Sequence, residues 1–224
     1  MPYPTVEPPR SAAELAALID HTLLGPGATG VDVAAAADLA ARLGCATVCV
    51  SPSRLPVETT VPLCTVVGFP SGAHAPEVKS AEAAYAVIAG AMELDMVVDL
   101  GLVKSGAWTD VEDEIAIVRG ACGDALLKVI VESAALSDDE LTRACEAAGR
   151  GGADYVKTST GFHPAGGATE HAIRIMRSAV GDELGVKASG GIRTAQQARS
   201  LLGAGANRLG CSSTEAVLAS FPSG

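Results

Sequence analysis

The chain has 224 residues, 48% hydrophobic and 19% charged, which is enough for a sizeable core and excludes a disordered or collagen-like chain. Charged residues, glycine or proline interrupt every long apolar stretch, so we expect no membrane-spanning segment. The net charge of −10 argues against nucleic acid or an anionic membrane as a partner.

The chain begins with ten residues that carry four prolines and no basic segment followed by an apolar one. We therefore predict no signal peptide and expect residues 1–12 to form an irregular N-terminal extension. Eight short runs, most of them rich in Val, Ile or Leu, then predict β-strands at residues 19–24, 46–51, 63–69, 94–100, 126–132, 154–159, 185–189 and 208–211.

Alanine-rich segments with helical periodicity separate most of these strands. They predict helices at residues 31–43, 76–91, 110–121, 138–148, 169–180, 194–202 and 214–220. Ser137 and Glu140 form a capping-box pattern at the start of one of them. The link between the second and third strands is short and proline-rich, so we expect about one helical turn there.

Strands that alternate with helices indicate a parallel sheet. Eight such units in about 200 residues predict a closed (β/α)8 TIM barrel, formed as a single domain by residues 1–224. The alternative is an open, doubly wound sheet. That fold would be expected to carry a Gly-x-Gly-x-x-Gly turn after the first strand, whereas residues 24–27 read Leu-Gly-Pro-Gly.

The six cysteines include no Cys-x-x-Cys pair, and several lie in apolar runs. Together with the absence of a predicted signal peptide, this favours a reduced, cytoplasmic protein. The histidines show no metal-ligand spacing, so we expect neither a metal nor another cofactor.

Two of the five lysines, Lys157 and Lys187, fall within the consecutive sixth and seventh strands. Neighbouring parallel strands would bring their ammonium groups together, and like charges lower the pKa of one of them. A neutral amine in a pocket can attack a carbonyl carbon and form a Schiff base. The alternative is that both lysines merely extend to the rim of the barrel.

Asp95 lies in the fourth strand, where Asp95, Val97 and Asp99 are predicted to share one face. A carboxylate facing the interior could shuttle protons for the lysines. Alternatively, Asp95 caps the entrance of the strand. Asp20 and Thr22 share a face of the first strand in the same way, so His21 would point outward and pack.

Two glycine- and serine-containing loops follow the seventh and eighth strands, at residues 190–194 and 210–214. Barrel enzymes often bind phosphate with these two loops, through backbone N–H groups at helix N-termini. Either loop alone could be an ordinary tight turn. Residues 151–208 carry seven basic and four acidic residues, a local charge of +3 that suits a small anion.

The motifs of the chain together resemble the deoxyribose-phosphate aldolase family over about residues 14–218. The motifs that carry the resemblance are Ile-Asp-His-Thr-Leu-Leu (19–24), Val-Cys-Val (48–50), Val-Gly-Phe-Pro-Ser-Gly (67–72), Glu-Leu-Asp-Met-Val-Val (93–98), Lys-Val-Ile-Val-Glu (128–132), Tyr-Val-Lys-Thr-Ser-Thr-Gly-Phe (155–162), Val-Lys-Ala-Ser-Gly-Gly-Ile-Arg-Thr (186–194) and Gly-Cys-Ser-Ser (210–213). The chain departs from that family's usual asparagines at Ser51, His74 and Asp99.

The resemblance implies a metal-independent class I aldolase that reversibly cleaves 2-deoxy-D-ribose 5-phosphate to D-glyceraldehyde 3-phosphate and acetaldehyde. It implies that Lys157 is the Schiff-base lysine, that Lys187 tunes it and exchanges protons, and that Asp95 relays protons. The expected substrate-binding residues are Asp20, Thr22, Cys49, Thr158, Thr160, Gly161, Gly190, Gly191, Gly210, Ser212 and Ser213. Cys49 by itself is more simply a core residue.

The expected partners are thus a small phosphorylated sugar and acetaldehyde, with no nucleic acid and no membrane, and the family together with the alanine-rich helices suggests a homodimer. Two other hypotheses remain open at this point. One is another Schiff-base or phosphosugar barrel that acts on a different aldehyde. The other is a phosphosugar-binding protein without catalysis, which would have no use for the lysine–aspartate set.

Overall fold

A computed structural model describes residues 2–222 of the chain. The strands of this part pair in parallel and close a barrel in the order β1 to β8, with β1 also paired to β8. They are β1 Ile19–Leu23, β2 Thr47–Val50, β3 Leu63–Val67, β4 Glu93–Val97, β5 Leu126–Ile130, β6 Tyr155–Lys157, β7 Gly185–Ser189 and β8 Arg208–Cys211. The predicted TIM barrel is therefore confirmed, and the alternative of an open sheet is wrong.

Helices connect most of the strands and pack around the barrel. Within the described residues they are α1 Ala12–Ala16, α2 Gly30–Leu43, α3 Pro76–Ile88, α4 Leu100–Ser105, α5 Trp108–Ala121, α6 Asp138–Arg150, α7 Glu170–Val180, α8 Ala195–Gly203 and α9 Thr214–Ala219. A single 3-10 turn, Pro52–Arg54, links β2 to β3. None of these helices is long and apolar enough to cross a membrane.

Local sequence accounts for where several helices begin. Thr29 and Ser137 accept the amide of the residue three positions on, and the acidic residue at that position caps them in return. Such reciprocal capping satisfies two amide groups that the first helical turn leaves without partners. Gly44 ends α2 in the left-handed conformation.

The strands present two different faces. Outward-facing residues such as Val48, Leu94 and Val186 are fully buried against the helices and form the main hydrophobic core. The alternate residues point into the barrel and are largely polar, and a small apolar cluster around Cys49 and Cys64 forms one side of the interior. Polar residues inside a closed barrel have to satisfy one another, which places the chemistry of the site there.

The predicted fourth strand is too long. β4 ends at Val97, and Asp99 is the N-cap of α4, where its carboxylate accepts the amides of Gly101 at 2.7 Å and Leu102 at 3.4 Å. Asp99 therefore does not share a strand face with Asp95. Helices α1 and α4 are absent from the sequence prediction: α1 has five residues, and α4 begins at Leu100, which the prediction assigned to the fourth strand.

The segment before α1 contains neither a helix nor a strand in its described residues. It lies across one end of the barrel, where the Tyr3 ring packs edge-on against Tyr155 at 4.7 Å. The side-chain amide of Asn207 donates to the carbonyl of Pro4 at 2.8 Å. The extension is thus attached to β6 and to the start of β8.

Candidate active site

Asp95 on β4 contacts three lysines inside the barrel. Its Oδ2 accepts hydrogen bonds from Nζ of Lys157 and from Nζ of Lys187, each at 2.7 Å. Its Oδ1 accepts a third from Nζ of Lys128 at 2.9 Å. One carboxylate therefore joins three ammonium groups that three different strands supply.

Two further carboxylates extend this contact into an ionic network. Asp20 lies 2.5 Å from Lys187 Nζ and 2.7 Å from Arg208 Nη1. Glu93 lies 2.5 Å from Lys128 Nζ and 3.5 Å from Arg208 Nη2. Buried charges are tolerated when they are paired in this way, and removing one partner is costly.

The network shifts the pKa values of its members. Burial acts to raise the pKa of Asp95, but the charges of Lys128, Lys157 and Lys187 outweigh it and hold that pKa well below its usual range. Burial likewise acts to lower the pKa of Lys187, but Asp20 and Asp95 outweigh it and raise that pKa. Asp95 is thus a lasting anion and Lys187 a lasting cation at neutral pH.

The charges of the network balance without Lys157. Its members other than Lys157 are three carboxylates and three cations, namely Asp20, Glu93, Asp95, Lys128, Lys187 and Arg208. Lys157 is the additional group, and it is also the member of the network that lines the cavity described next. A neutral amine at this position leaves the buried charges compensated.

A cavity of about 360 Å³ opens at Lys157, a size that suits a small ligand. It lies between the loops that follow β1, β6, β7 and β8. The residues that line it are Thr22, Leu23, Leu24, Gly25, Lys157, Thr160, Gly161, Phe162, Ser189, Gly190, Gly191, Ile192, Arg193, Gly210, Cys211, Ser212 and Ser213.

Most of the predicted site residues line this cavity, but some lie beneath it. Thr22, Thr160, Gly161, Gly190, Gly191, Gly210, Ser212 and Ser213 are among the lining residues. Asp20 is fully buried in the network, and Cys49 is fully buried in the small apolar cluster. The Thr158 hydroxyl donates to the carbonyl of Ser189 at 3.0 Å. Asp20, Cys49 and Thr158 are thus not among the residues that line the cavity, and their contact with the substrate stays a prediction.

The two predicted phosphate loops follow the adjacent strands β7 and β8, and residues of both line the cavity. Gly190 and Gly191 have φ values of 88° and 82°, a conformation that glycine adopts without strain. Arg193 follows them and also lines the cavity. Sequence reasoning quoted Arg193 within the Gly-Gly-Ile-Arg-Thr motif but did not single out its charge.

Lys128 is the most important residue that sequence reasoning missed. It lies in the middle of β5, is fully buried, and contacts both Asp95 and Glu93. The signal was present, because a lysine within the apolar run Leu-Leu-Lys-Val-Ile is the same pattern that drew attention to Lys157 and Lys187.

His21 packs on the outer side of β1, as the strand periodicity predicts. Its Nδ1 lies 2.9 Å from the hydroxyl oxygen of Thr214, the first residue of α9. Burial lowers the pKa of His21. The ring connects the barrel wall to the helix that follows the Ser212–Ser213 loop.

Two groups of buried side chains among the described residues have the spacing of metal ligands, and they share Cys64. One comprises Asp20, Cys64 and Glu93, where Lys128 Nζ lies 2.5 Å from Glu93 and 3.9 Å from Asp20. The other is formed by Cys49, Cys64 and Asp95, whose ligand atoms lie within 4.8 Å of one another. However, Lys128 Nζ lies 2.9 Å from Asp95 Oδ1 and 3.6 Å from Cys64 Sγ. An ammonium group thus already supplies the positive charge that a metal ion would bring.

The fold and the site together define a (β/α)8-barrel enzyme with a lysine at the base of its open cavity. A model of the DeoC/LacD family aldolases matches residues 15–218. The chain therefore belongs to the DeoC/LacD family of aldolases, which are carbon–carbon lyases.

Individual relatives agree with this assignment. The deoxyribose-phosphate aldolases of Kocuria rhizophila and Nocardia farcinica are each 58% identical to this chain, covering 92% and 94% of it and 96% of their own lengths. The solved structure of a deoxyribose phosphate aldolase from Aeropyrum pernix, described as tetrameric, superposes with a TM-score of 0.89 at 37% identity. That match covers 95% of this chain and 93% of the other.

Proposed function

We propose that the chain is a class I aldolase that reversibly cleaves 2-deoxy-D-ribose 5-phosphate into D-glyceraldehyde 3-phosphate and acetaldehyde. The observation that carries this proposal is the position of Lys157, whose Nζ lines the cavity and donates to the buried Asp95 at 2.7 Å. The relatives named deoxyribose-phosphate aldolase support the choice of substrate.

In the cleavage direction, the neutral amine of Lys157 attacks the C1 aldehyde of the open-chain sugar. Loss of water from the resulting carbinolamine gives an iminium ion, which serves as an electron sink. The C3 hydroxyl then loses its proton, the C2–C3 bond breaks, and its electron pair moves into the iminium to form an enamine. D-Glyceraldehyde 3-phosphate leaves, the enamine is protonated at C2, and hydrolysis releases acetaldehyde and restores the amine.

Asp95 and Lys187 are the proton-transfer groups closest to Lys157. We assign to Asp95 the transfer of the C3 hydroxyl proton, with Lys187 as the neighbouring donor on the same carboxylate oxygen. The proton taken from the C3 hydroxyl is balanced by the proton added to C2 of the enamine, so the cleavage consumes no net proton. Lys187 stays positively charged beside Lys157, because Asp20 and Asp95 outweigh its burial and raise its pKa.

The phosphate of the substrate has a matching region in the part of the cavity that the loops after β7 and β8 line. The Gly190–Gly191 and Ser212–Ser213 loops and the Arg193 guanidinium offer backbone amides, hydroxyls and one positive charge. Binding the phosphate there would hold the reacting carbons over Lys157, so that remote binding energy serves orientation.

Borohydride reduction in the presence of acetaldehyde tests the proposal directly. The protein should gain one ethyl group on Lys157, and a peptide digest should locate it there. A Lys157→Met variant should remain unmodified at this peptide and inactive, whereas Lys104→Met, which changes an exposed surface lysine, should behave like the wild type. Cleavage of deoxyribose 5-phosphate should persist in the presence of EDTA. An active Lys157→Met variant would refute the assignment.

We further propose that the chain forms a homodimer in the cytoplasm. Exposed apolar side chains follow one face of α3 and the turn after it, at Val78, Tyr85, Ile88 and Met92. A face of this kind can pair with its own copy about a twofold axis. All six cysteines are free, as suits a reducing compartment. Light scattering of the wild type and of Ile88→Glu tests the dimer, because the variant should become monomeric.

A further inference from the structure

Glu132, just beyond the end of β5, has an unusual backbone conformation. Its φ of 53° and ψ of 55° place it in the left-handed region, and no other non-glycine residue among residues 2–222 has a positive φ. A long side chain is disfavoured there, and such strain persists only where the surroundings impose it. Glu132 is also 1% exposed, so its carboxylate is buried.

The backbone on both sides of Glu132 is held by β6 and its extension. The amide of Val131 donates to the carbonyl of Lys157 at 3.0 Å, and the amide of Ser133 donates to the carbonyl of Thr158 at 2.7 Å. These two bonds fix the chain on either side of the strained residue. The two hydrogen bonds therefore hold the strained turn in a fixed position relative to the segment that carries Lys157.

The buried carboxylate of Glu132 binds a single residue, Thr160. It accepts the Thr160 amide at 3.2 Å and 3.3 Å through its two oxygens, and it accepts the Thr160 hydroxyl at 2.5 Å. The same hydroxyl oxygen accepts the amide of Phe162 at 3.1 Å. Because its proton is donated to Glu132, the Thr160 hydroxyl has no hydrogen left to donate to a ligand.

The segment held in this way forms one wall of the active-site cavity. Thr160, Gly161 and Phe162 all line the cavity and follow Lys157 closely in the chain. The Phe162 ring packs edge-on against Phe69 at 5.2 Å, across the mouth of the barrel. Hydrogen bonds to a charged acceptor are stronger than neutral ones, so Glu132 can hold this wall firmly.

We propose that Glu132 is a positioning residue for the reaction, which acts through Thr160 to hold residues 160–162 against the substrate beside Lys157. This inference rests on the proposed aldolase function. Glu132 itself does not line the cavity. Its contribution is geometric, because a displacement of about 1 Å at a reacting centre can cost on the order of 100-fold in rate.

Four variants test this proposal by steady-state kinetics. Glu132→Ala and Thr160→Val each remove the contact, and we expect kcat/KM to fall by about 10- to 100-fold in both, with the larger part of the loss in kcat. Glu132→Gln keeps the volume and one carbonyl acceptor, so it should retain more activity than Glu132→Ala. The double variant Glu132→Ala/Thr160→Val should be no worse than the poorer single variant, because the two changes break one connection.

A matched control separates positioning from general stability. Val118→Ala truncates a fully buried residue of α5 outside the cavity and should lower the melting temperature without changing kcat/KM well below that temperature. If Glu132→Ala behaves like this control, Glu132 is only structural and the proposal is wrong. The proposal would also be wrong if the fold-loss of kcat/KM in the double variant equalled the product of the losses in the two single variants.

Hydrogen exchange supplies a readout that does not depend on activity. The amides of Thr160 and Phe162 should exchange faster in Glu132→Ala than in Val118→Ala or the wild type, and unchanged exchange would contradict the proposal. Failure of the proposed function looks different, because the wild type itself would then neither cleave deoxyribose 5-phosphate nor form a borohydride adduct. Should Glu132→Ala fail to fold, Glu132→Gln and Thr160→Val carry the same test.

Discussion

Lys157 and Lys187 are direct partners in the register of β6 and β7, and their ammonium groups donate to the same oxygen of Asp95. Parallel neighbouring strands place the two side chains side by side inside the barrel, and the shared carboxylate makes this contact tolerable. The reactive amine of the proposed mechanism is thus adjacent to a second ammonium group, whose pKa Asp20 and Asp95 raise against the effect of burial.

Replacing Lys187 tests this relationship. Lys187→Met removes the ammonium group that lies 2.5 Å from Asp20 and 2.7 Å from Asp95 in a buried site, so we expect a loss of about 3–5 kcal/mol in the free energy of unfolding and a large loss of cleavage activity. Urea unfolding and an initial-rate assay measure the two effects. Lys104→Met, which removes an exposed lysine, should change neither by much. Wild-type stability in Lys187→Met would contradict the network as described.

The lowered pKa of Asp95 predicts how the free energy of unfolding depends on pH. Its folded-state pKa lies well below its unfolded value, so its contribution to stability is present above about pH 4 and is lost as the pH falls through the lower folded-state value. The wild type should therefore become less stable in acid. Asp95→Asn should lose less of its stability as the pH falls, because the carboxylate with the lowered pKa is gone. The variant should also lose activity by about 100-fold or more. Chemical unfolding at a series of pH values is the measurement, and parallel curves for both proteins would contradict the prediction.

Lys128 should stabilise the folded protein. Its ammonium group lies 2.5 Å from Glu93 and 2.9 Å from Asp95, so Lys128→Met removes a partner of two buried carboxylates and should lower the free energy of unfolding by about 3–5 kcal/mol. Urea unfolding measures the loss, with Lys104→Met as the exposed-lysine control. Equal stability of Lys128→Met and the wild type would contradict this prediction.

Gly210 leaves space for Lys187. A Cβ atom at Gly210 would lie 2.9 Å from the Ser189 Cβ and 3.3 Å from the Lys187 Cε. Gly210→Ala should therefore displace Lys187 and lower kcat by about 10-fold or more, as small misplacements of reacting groups do. Gly203→Ala, with nothing within 4 Å of the added atom, is the matched control and should leave kcat unchanged. Equal kcat values for both variants would show that the interior adapts to the added methyl group.

Arg193 should give the enzyme its preference for phosphorylated over unphosphorylated deoxyribose. Arg193 lines the cavity, and the proposed function assigns its charge to the phosphate of the substrate. Arg193→Ala should therefore raise KM for deoxyribose 5-phosphate a few-fold and leave KM for unphosphorylated deoxyribose nearly unchanged. The increase should shrink at high ionic strength, since solvent and salt screen an exposed cation. An equal rise for both sugars would place Arg193 outside the phosphate region.

Much of this protein follows from its sequence. The alternation of short apolar runs with alanine-rich periodic segments predicts eight parallel strands, because both periods are local properties of the chain. Lys157 and Lys187 stand out for a similar reason, since a lysine inside a strand pattern needs a buried partner. The predicted strands err mainly at their ends, as at Asp99, where a helix cap replaces the last residues of β4.

Only the tertiary structure decides which groups meet. Asp20 on β1 reaches Lys187 on β7 and Arg208 on β8 because the barrel closes between the first and last strands. Lys128 meets Asp95 through the register of β4 and β5, in which the two residues are direct partners. The role of Glu132 could not be predicted from the sequence either. Its partner Thr160 lies 28 positions away, and no local pattern indicates the strained turn. Periodicity determines the faces of strands, whereas the register and curvature of the closed sheet determine the contacts between them.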